Sequence, residues 1–196
     1  MVDLTAIGLQ IGVVLIGAPV LVGFMRQVTA RLQGRAGAGV LQPWRDLRKQ
    51  MGKESITPDG SSAVFSIAPL VAFSAVFVIA AVSPFLTTRS RTDGVADLFA
   101  IGGLLLLGPV ALALGALDTG TAFGGMGASR EVMVAALAEP AILVAGFALS
   151  TRVNSSNLAD MVEGVALAPA DAATPANLFA AVAIGIVVLA ESGRLP

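Results

Sequence analysis

The sequence predicts an all-α integral membrane protein with about five transmembrane helices, several of them broken by proline, and one interfacial amphipathic helix. Of its 196 residues, 56% are hydrophobic and 13% are charged, whereas roughly a quarter are charged in soluble domains. Its mean hydropathy is +0.86. Apolar segments follow one another along the whole chain, so we treat residues 1–196 as a single transmembrane domain.

Most of the apolar segments are long enough to cross a bilayer, because about 20 helical residues span roughly 30 Å of hydrocarbon. The last one is short unless flanking residues extend its helix. The first begins after Asp3 instead of a basic region, so we read it as a retained anchor and not as a secretion signal. The predicted spans are residues 4–25, 63–86, 98–117, 132–150 and 177–190.

Prolines inside the first four spans predict helices that are buried in protein, since each proline leaves a carbonyl one turn earlier without its helical partner. The polar Gln10, between Gly8 and Gly12, is a candidate bridge between helices, although a packing role is the more common one. The prolines are Pro19, Pro69, Pro84, Pro109 and Pro140.

The distribution of basic residues predicts the orientation. With the amino terminus outside, nine of the 12 basic residues face the cytoplasm and three face outward, as the positive-inside rule requires. The expected location is the inner cell membrane, with loops 26–62 and 118–131 and the carboxyl terminus on the cytoplasmic side. The outward residues are Arg89, Arg91 and Arg152.

The first cytoplasmic loop contains a predicted amphipathic helix between residues 39 and 53. One side carries Val40, Leu41, Trp44, Leu47 and Met51, and the other carries Arg45, Arg48, Lys49 and Lys53. Such a helix lies in the membrane interface, where it either rests on lipid or offers its basic side to anionic lipid or an acidic protein. The preceding GRAGAG stretch has the wrong spacing for a phosphate-binding loop.

Glu139 is the only charged residue between Val132 and Ser150. A carboxylate inside a span is costly unless it faces a partner or water, so it indicates function by default. Burial disfavours its charged form, and we expect it to exchange protons near neutral pH. The alternative is a neutral side chain that only packs against a neighbouring helix.

The second cytoplasmic loop, DTGTAFGGMGASRE, is predicted to end in Arg130 and Glu131 where the next helix begins. A plain capping role for Glu131 is a strong alternative there. Glu139 lies about 80° around the helix and about 12 Å deeper, so both carboxylates are expected to border one polar path. Pro140 would leave the carbonyl of Ala136 open to a water molecule on this path.

The chain has no cysteine and no histidine. Iron–sulfur clusters need thiolates, and haem, nickel–iron and most zinc sites need thiolate or imidazole ligands. We therefore expect no metal site in this chain.

Three stretches, GRAGAGVLQPWRDLRK, TGTAFGGMGASRE with its ALAEP continuation, and AESGRLP, resemble the membrane subunit shared by respiratory complex I, where it is subunit 1, and by group 4 membrane-bound nickel–iron hydrogenases, where it corresponds to formate hydrogenlyase subunit 4. The resemblance runs nearly end to end and is closer to the hydrogenase branch. The family continues beyond the last residues present here, so we expect an amino-terminal fragment of a longer subunit.

The resemblance implies a noncatalytic subunit, with no catalytic residue of its own, that joins a peripheral redox arm to an ion-pumping membrane arm. Its proton-coupling residues would be Glu139, Glu131 and Glu191, and we add Asp118 to this set. The residues that dock partners or line the family's chamber would be Arg35, Gln42, Asp46, Arg130 and Arg194, and we add Arg45 from the basic side of the amphipathic helix. Iron–sulfur clusters and a nickel–iron site are expected on the partner subunits, with a quinone as an open alternative.

The expected partners are hydrogenase-like or complex I-like peripheral subunits, antiporter-like membrane subunits and membrane lipid, and not nucleic acid. Two other function classes stay open: a proton-coupled secondary transporter that uses Glu139, and a scaffold in which Glu139 is inert. No inverted repeat is visible between the halves of the sequence, which weakens the transporter hypothesis.

Overall fold

The structure, a computed structural model, describes residues 2–54, 56–84, 95–167 and 174–192. Seven α-helices lie in these ranges. The chain divides into two compact units, Met1–Ile56 and Thr57–Pro196. The first unit holds two helices, and the second holds the other five.

In the first unit, a long helix is followed by a short one that folds back against it. Helix α1 (Val2–Leu32) contains Pro19, and α2 (Gln42–Met51) follows a glycine-rich turn. The contact is made at Gly23, where an added Cβ would collide with the carbonyl oxygen of Val40 and lie 3.1 Å from Cδ of Pro43. The prediction of a helix between residues 39 and 53 is confirmed, since α2 covers Gln42–Met51.

The second unit is a bundle in which α4 packs against both α3 and α5, and α5 also packs against α6 and α7. Helix α5 has 32 residues and remains one helix across Pro140. Helix α6 was not predicted. The helices are α3 (Ala63–Val82), α4 (Leu98–Asp118), α5 (Ala122–Val153), α6 (Leu158–Leu167) and α7 (Pro175–Ser192).

Small residues fill the interior of this bundle, while large apolar side chains face outward. On α5 the buried face carries Ala128, Ala135, Ala138 and Ala145. Gly115 of α4 approaches α3 so closely that a Cβ there would lie 2.8 Å from Cβ of Ala68. Small interior residues let helix backbones approach closely, and a bilayer favours an apolar exterior. The exposed apolar residues of the bundle include Phe73, Leu106, Leu114, Leu137 and Val144.

Four of the predicted spans correspond to helices long and apolar enough to cross a membrane: α1, α3, α4 and α5. The fifth corresponds to α7, whose 18 residues exceed the predicted 14, although its apolar part, Asn177–Val188, is shorter. Pro84 lies beyond the last residue of α3, so its placement inside a helix was wrong.

The prediction of a loop over residues 118–131 was wrong for most of its length. Thr121 caps α5, because its hydroxyl oxygen accepts a hydrogen bond from the backbone N–H of Gly124 at 3.0 Å. Only three residues, 119–121, separate α4 from α5. Gly120 has a φ of 63°, a left-handed conformation that favours glycine, and this allows the sharp turn.

At the other end of these helices, the segment after α5 pairs with the start of α4. The N–H of Leu98 donates to the carbonyl of Ser156 at 2.9 Å, and the N–H of Leu158 donates to the carbonyl of Ala96 at 2.8 Å. Asp97 accepts from the Ser156 hydroxyl and, at 2.8 Å, from the N–H of Phe99. We call this set of contacts between residues 96–99 and 156–158 the clasp.

Candidate functional site

Glu139 is buried inside the helical bundle. It lies midway along α5 and is 8% exposed, on the same face as the buried Ala135 and Ala138. Placing a carboxylate at this depth of a membrane-spanning helix costs free energy unless polar groups or water surround it. Glu139 is therefore enclosed by the bundle, which both the functional hypothesis and the packing alternative require.

Glu139 lines a cavity of about 380 Å³ between α3, α4 and α5. Most of the lining is apolar, and the two charged lining residues are Glu139 and Glu131. Gly108 of α4 also lines it, and an added Cβ there would meet no heavy atom within 4 Å. The missing side chain of Gly108 thus leaves part of this space open. The apolar lining comprises Ala72, Val76, Ile79, Leu104, Leu105, Pro109, Leu112 and Ile142.

Glu131 lies on the same helix and is partly buried. Because α5 begins at Ala122, Glu131 is more than two turns inside the helix, so the prediction that it stands at the helix start was wrong. A capping role is thereby removed, since helix caps act at the first turn. The separation of eight residues, about 12 Å along the axis, places the two carboxylates along one cavity.

Pro140 directly follows Glu139 but belongs to a different side of α5. Both Pro140 and Ala136 are exposed, and neither contributes to the cavity lining. The lining therefore does not include Ala136, on whose carbonyl we expected a water molecule along this path. Within the described residues, the polar lining of the cavity comes from the two carboxylates.

Asp118 serves as a link between two helices. Its carboxylate accepts hydrogen bonds from the N–H of Ser62 at 2.7 Å, the hydroxyl of Ser62 at 2.8 Å and the N–H of Phe65 at 3.2 Å. These groups belong to the first turn of α3, whose N–H groups have no helical partners. Asp118 does not line the cavity of Glu139. Its contacts favour a structural role over the expected proton-coupling role.

The residues expected to dock partners or line a chamber lie at separate places. Gln42 and Asp46 form a hydrogen bond of 2.9 Å along α2, and Arg45 lines a groove on the same helix. Arg35 is exposed and donates to the side chain of Gln33. Arg130 is exposed on α5.

Two of the expected residues cannot be placed in a site. Glu191 belongs to the last turn of α7, but its side chain lies outside the described residues. Arg194 lies outside them entirely.

Gln27 is a residue that the sequence reasoning missed. Its side-chain oxygen accepts from the N–H of Gly39 at 2.9 Å, and its side-chain nitrogen donates to the carbonyl of Ala36 at 2.9 Å. An added Cβ on Gly37, which has a φ of 77°, would collide with this side chain. Gln27 therefore holds the glycine-rich turn before α2. Its position one turn before the end of α1 carried no signal of this contact.

A helical bundle with an apolar exterior and a buried carboxylate between its helices defines a multi-pass membrane protein. Comparison with known families identifies the family of membrane proteins to which the chain belongs. A family described as NADH dehydrogenase matches residues 4–196. The chain belongs to this family.

Curated relatives come from both branches named by the resemblance. Formate hydrogenlyase subunit 4 of Escherichia coli is 35% identical over 179 residues, which cover 91% of this chain and 58% of the relative. Hydrogenase-4 component C of the same organism is 31% identical, covering 95% and 59%. The H subunit of the NADH-quinone oxidoreductase of Rhodospirillum rubrum is 35% identical over 149 residues, covering 70% and 43%.

The fold also matches a solved structure. The chain resembles a chain of an archaeal respiratory membrane complex, the membrane-bound sulfane sulfur reductase, with a TM-score of 0.73 and 22% identity over 94% of this chain and 62% of the other. This likeness supports the helical membrane fold. The chain spans less than two thirds of the length of each relative given above.

Proposed function

We propose that the chain is a membrane-anchor and proton-coupling subunit that links a peripheral redox arm to the membrane arm of a hydrogenase or formate hydrogenlyase type of respiratory complex. The observation that carries this proposal is the burial of Glu139 beside a cavity that Glu131 also lines. The names of the two Escherichia coli relatives favour the hydrogenase branch.

In this proposal, Glu139 takes up and releases a proton inside the membrane while partner subunits carry out the electron transfer. Desolvation raises the cost of the charged form of a carboxylate, so a change in the polarity of the cavity would change proton occupancy. Glu131, nearer the predicted cytoplasmic end of α5, provides the entry to the cavity. Glu191, on the last turn of α7, would continue the path toward the membrane arm.

The proposed orientation has the amino terminus outside and residues 26–62 in the cytoplasm of a cell with the complex in its inner membrane. The proposed partners are nickel–iron hydrogenase-like peripheral subunits and antiporter-like membrane subunits. Iron–sulfur and nickel–iron centres would reside on those partners, because this chain has neither cysteine nor histidine to ligate them.

The decisive experiment is Glu139→Gln in the assembled complex in sealed vesicles, with electron transfer and proton translocation measured together. Proton translocation per electron should fall to about a tenth or less, while electron transfer is largely retained, because glutamine packs similarly but cannot exchange a proton. Glu163→Gln, on α6 and away from the cavity, is the matched control and should change neither. Unchanged coupling in Glu139→Gln would support the scaffold hypothesis instead.

A second variant tests the cavity without altering either carboxylate. Gly108→Ile would fill the open space in the lining, whereas Gly103→Ile adds the same group at an exposed position of the same helix. We expect Gly108→Ile to reduce proton translocation and Gly103→Ile to retain it. Equal translocation in both variants would show that protons take another route.

The alternative within the same family is the H subunit of NADH-quinone oxidoreductase, with a quinone bound near this chain. The relative from Rhodospirillum rubrum supports it. Neighbouring genes separate the two: a nickel–iron large subunit with paired cysteine motifs favours a hydrogenase, and an NADH-binding flavoprotein favours a quinone reductase.

A further inference from the structure

Helix α2 begins beside the point where the apolar part of α1 ends. Its first turn and the loop before it contact α1 at Gly23, through Pro43 and Val40. The first charged residue after the apolar stretch of α1 is Arg26, about 4.5 Å further along the helix. The start of α2 therefore lies at the depth where hydrocarbon gives way to lipid headgroups.

The outward face of α2 forms a groove at this depth. The groove has a volume of about 550 Å³, and its six lining residues are Leu41, Trp44, Arg45, Leu47, Arg48 and Met51. Its apolar members are well exposed, with 58% of Leu41, 43% of Leu47 and 88% of Met51 accessible. A face that exposes this much apolar surface beside the membrane boundary is suited to acyl chains.

The charged members of the groove are both basic. Arg45 and Arg48 are three residues apart, so they lie on one side of the helix. Asp46, the acidic residue of α2, does not line the groove and accepts a hydrogen bond from Gln42. An arginine guanidinium presents parallel N–H donors that match phosphate oxygens.

We propose that the groove on α2 binds an anionic phospholipid, with Arg45 and Arg48 on the headgroup phosphate and the apolar lining against the first part of the acyl chains. The complementarity of charge and the depth of α2 together favour a lipid over an acidic protein. Arg45 is thereby assigned to lipid and not to a partner subunit. Lipid binding at this groove is independent of proton coupling by Glu139.

Trp44 allows a direct test, because it is the only tryptophan in the chain and lines the groove. The full chain is placed in phosphatidylcholine vesicles that contain a fixed fraction of brominated lipid, and quenching of tryptophan emission is measured. Brominated phosphatidylglycerol should quench about two-fold or more strongly than the same fraction of brominated phosphatidylcholine, since each basic residue near the surface adds to the attraction of anionic lipid.

The variant pair Arg45→Gln/Arg48→Gln should remove this preference. The matched control, Lys49→Gln/Lys53→Gln, removes the same charge from residues outside the groove and should keep most of it. Far-UV circular dichroism verifies that all variants retain the same helix content. Equal quenching by the two lipids in the unmodified chain, or a preference that survives in Arg45→Gln/Arg48→Gln, would overturn the proposal.

Discussion

Asp118 at the end of α4 accepts two hydrogen bonds from Ser62 at the start of α3. The backbone N–H of Ser62 donates to Oδ2 at 2.7 Å, and its hydroxyl donates to Oδ1 at 2.8 Å. The two residues are 56 positions apart in sequence. One carboxylate therefore ties the same end of two adjacent spans and satisfies N–H groups that a helix start leaves open. The turn of residues 119–121, which leads into α5, begins immediately after Asp118.

Replacement of Asp118 by alanine should lower the midpoint of thermal unfolding, because the N–H groups of Ser62 and Phe65 lose their acceptor, much as when a helix cap is removed. Thermal unfolding in detergent micelles measures this loss. Asp59→Ala, an exposed carboxylate in the loop before α3, is the control and should be close to neutral. A proton-coupling role would instead make Asp118→Ala stable but defective in translocation.

Gly124, in the first turn of α5, should not tolerate a side chain. We call the region from Ala116 to Gly124, where α4 turns into α5, the corner. An added Cβ would collide with the carbonyl oxygen of Ala116 and lie 2.6 Å from the hydroxyl of Thr119. Gly124→Ala should therefore destabilise by about 1–3 kcal/mol, as overpacking does. Gly125→Ala is the matched control, because its Cβ meets nothing within 4 Å, and it should be neutral or slightly stabilising. Equal unfolding temperatures for the two variants would contradict this account of the corner.

Gln27→Ala should loosen the turn that leads into α2. Two hydrogen bonds of 2.9 Å are lost, each worth about 0.5–1.5 kcal/mol. We expect trypsin to cleave after Arg35 about ten-fold faster, because the turn opens more often. Gln50→Ala, an exposed position on α2, should leave the cleavage rate unchanged. An unchanged rate in Gln27→Ala would mean that the packing at Gly23 alone holds the turn.

The free energy of unfolding should depend on pH through the carboxylate of Asp97. The hydrogen bond from the Ser156 hydroxyl, together with the N–H groups of Phe99 and Ala100, holds the pKa of Asp97 below its ordinary value of 3.8, against the opposing effect of burial. A lowered pKa in the folded state adds stability above pH 3.8, and this stability is lost as the pH falls through the folded value. Unfolding measured between about pH 5 and pH 2 checks the prediction.

Ser156→Ala should remove the main cause of the lowered pKa of Asp97, so the variant should be about 0.5–1 kcal/mol less stable at neutral pH. Its loss of stability on acidification should be correspondingly smaller. Ser129→Ala is the control, since that exposed hydroxyl bonds only within its own helix turn, to the carbonyl of Met126. If both serine variants show the acid response of the parent chain, the clasp does not control it.

Hydropathy and helical spacing were sufficient to predict four spans and the amphipathic helix α2, because each depends on a long run of residues. They also singled out Glu139, because a charge inside a span carries a large free-energy cost. The start of α5 was not predictable in this way. Its glycines, typical of loops in general, here serve close packing at Gly124 under a cap from Thr121. Helix α6, with ten residues, is too short for a span signal.

The role of Asp118 depends on a contact with Ser62, which is distant in sequence, and Gln27 acts on a turn nine to twelve residues away. Local patterns do not report such pairings. Arg45 illustrates a different difficulty. Its place on the basic side of an amphipathic helix was predicted, but the groove that it lines becomes visible only when Leu41 and Met51 are placed in space.

Helix α5 runs without interruption from the cap at Thr121 to the left-handed Asn154, two residues before the clasp segment 156–158. Its 32 residues measure about 48 Å, well beyond the thickness of the hydrocarbon layer. Because α5 joins the turn at Gly120 to the clasp, tilting this helix at either end would move Glu139 relative to α3 and α4.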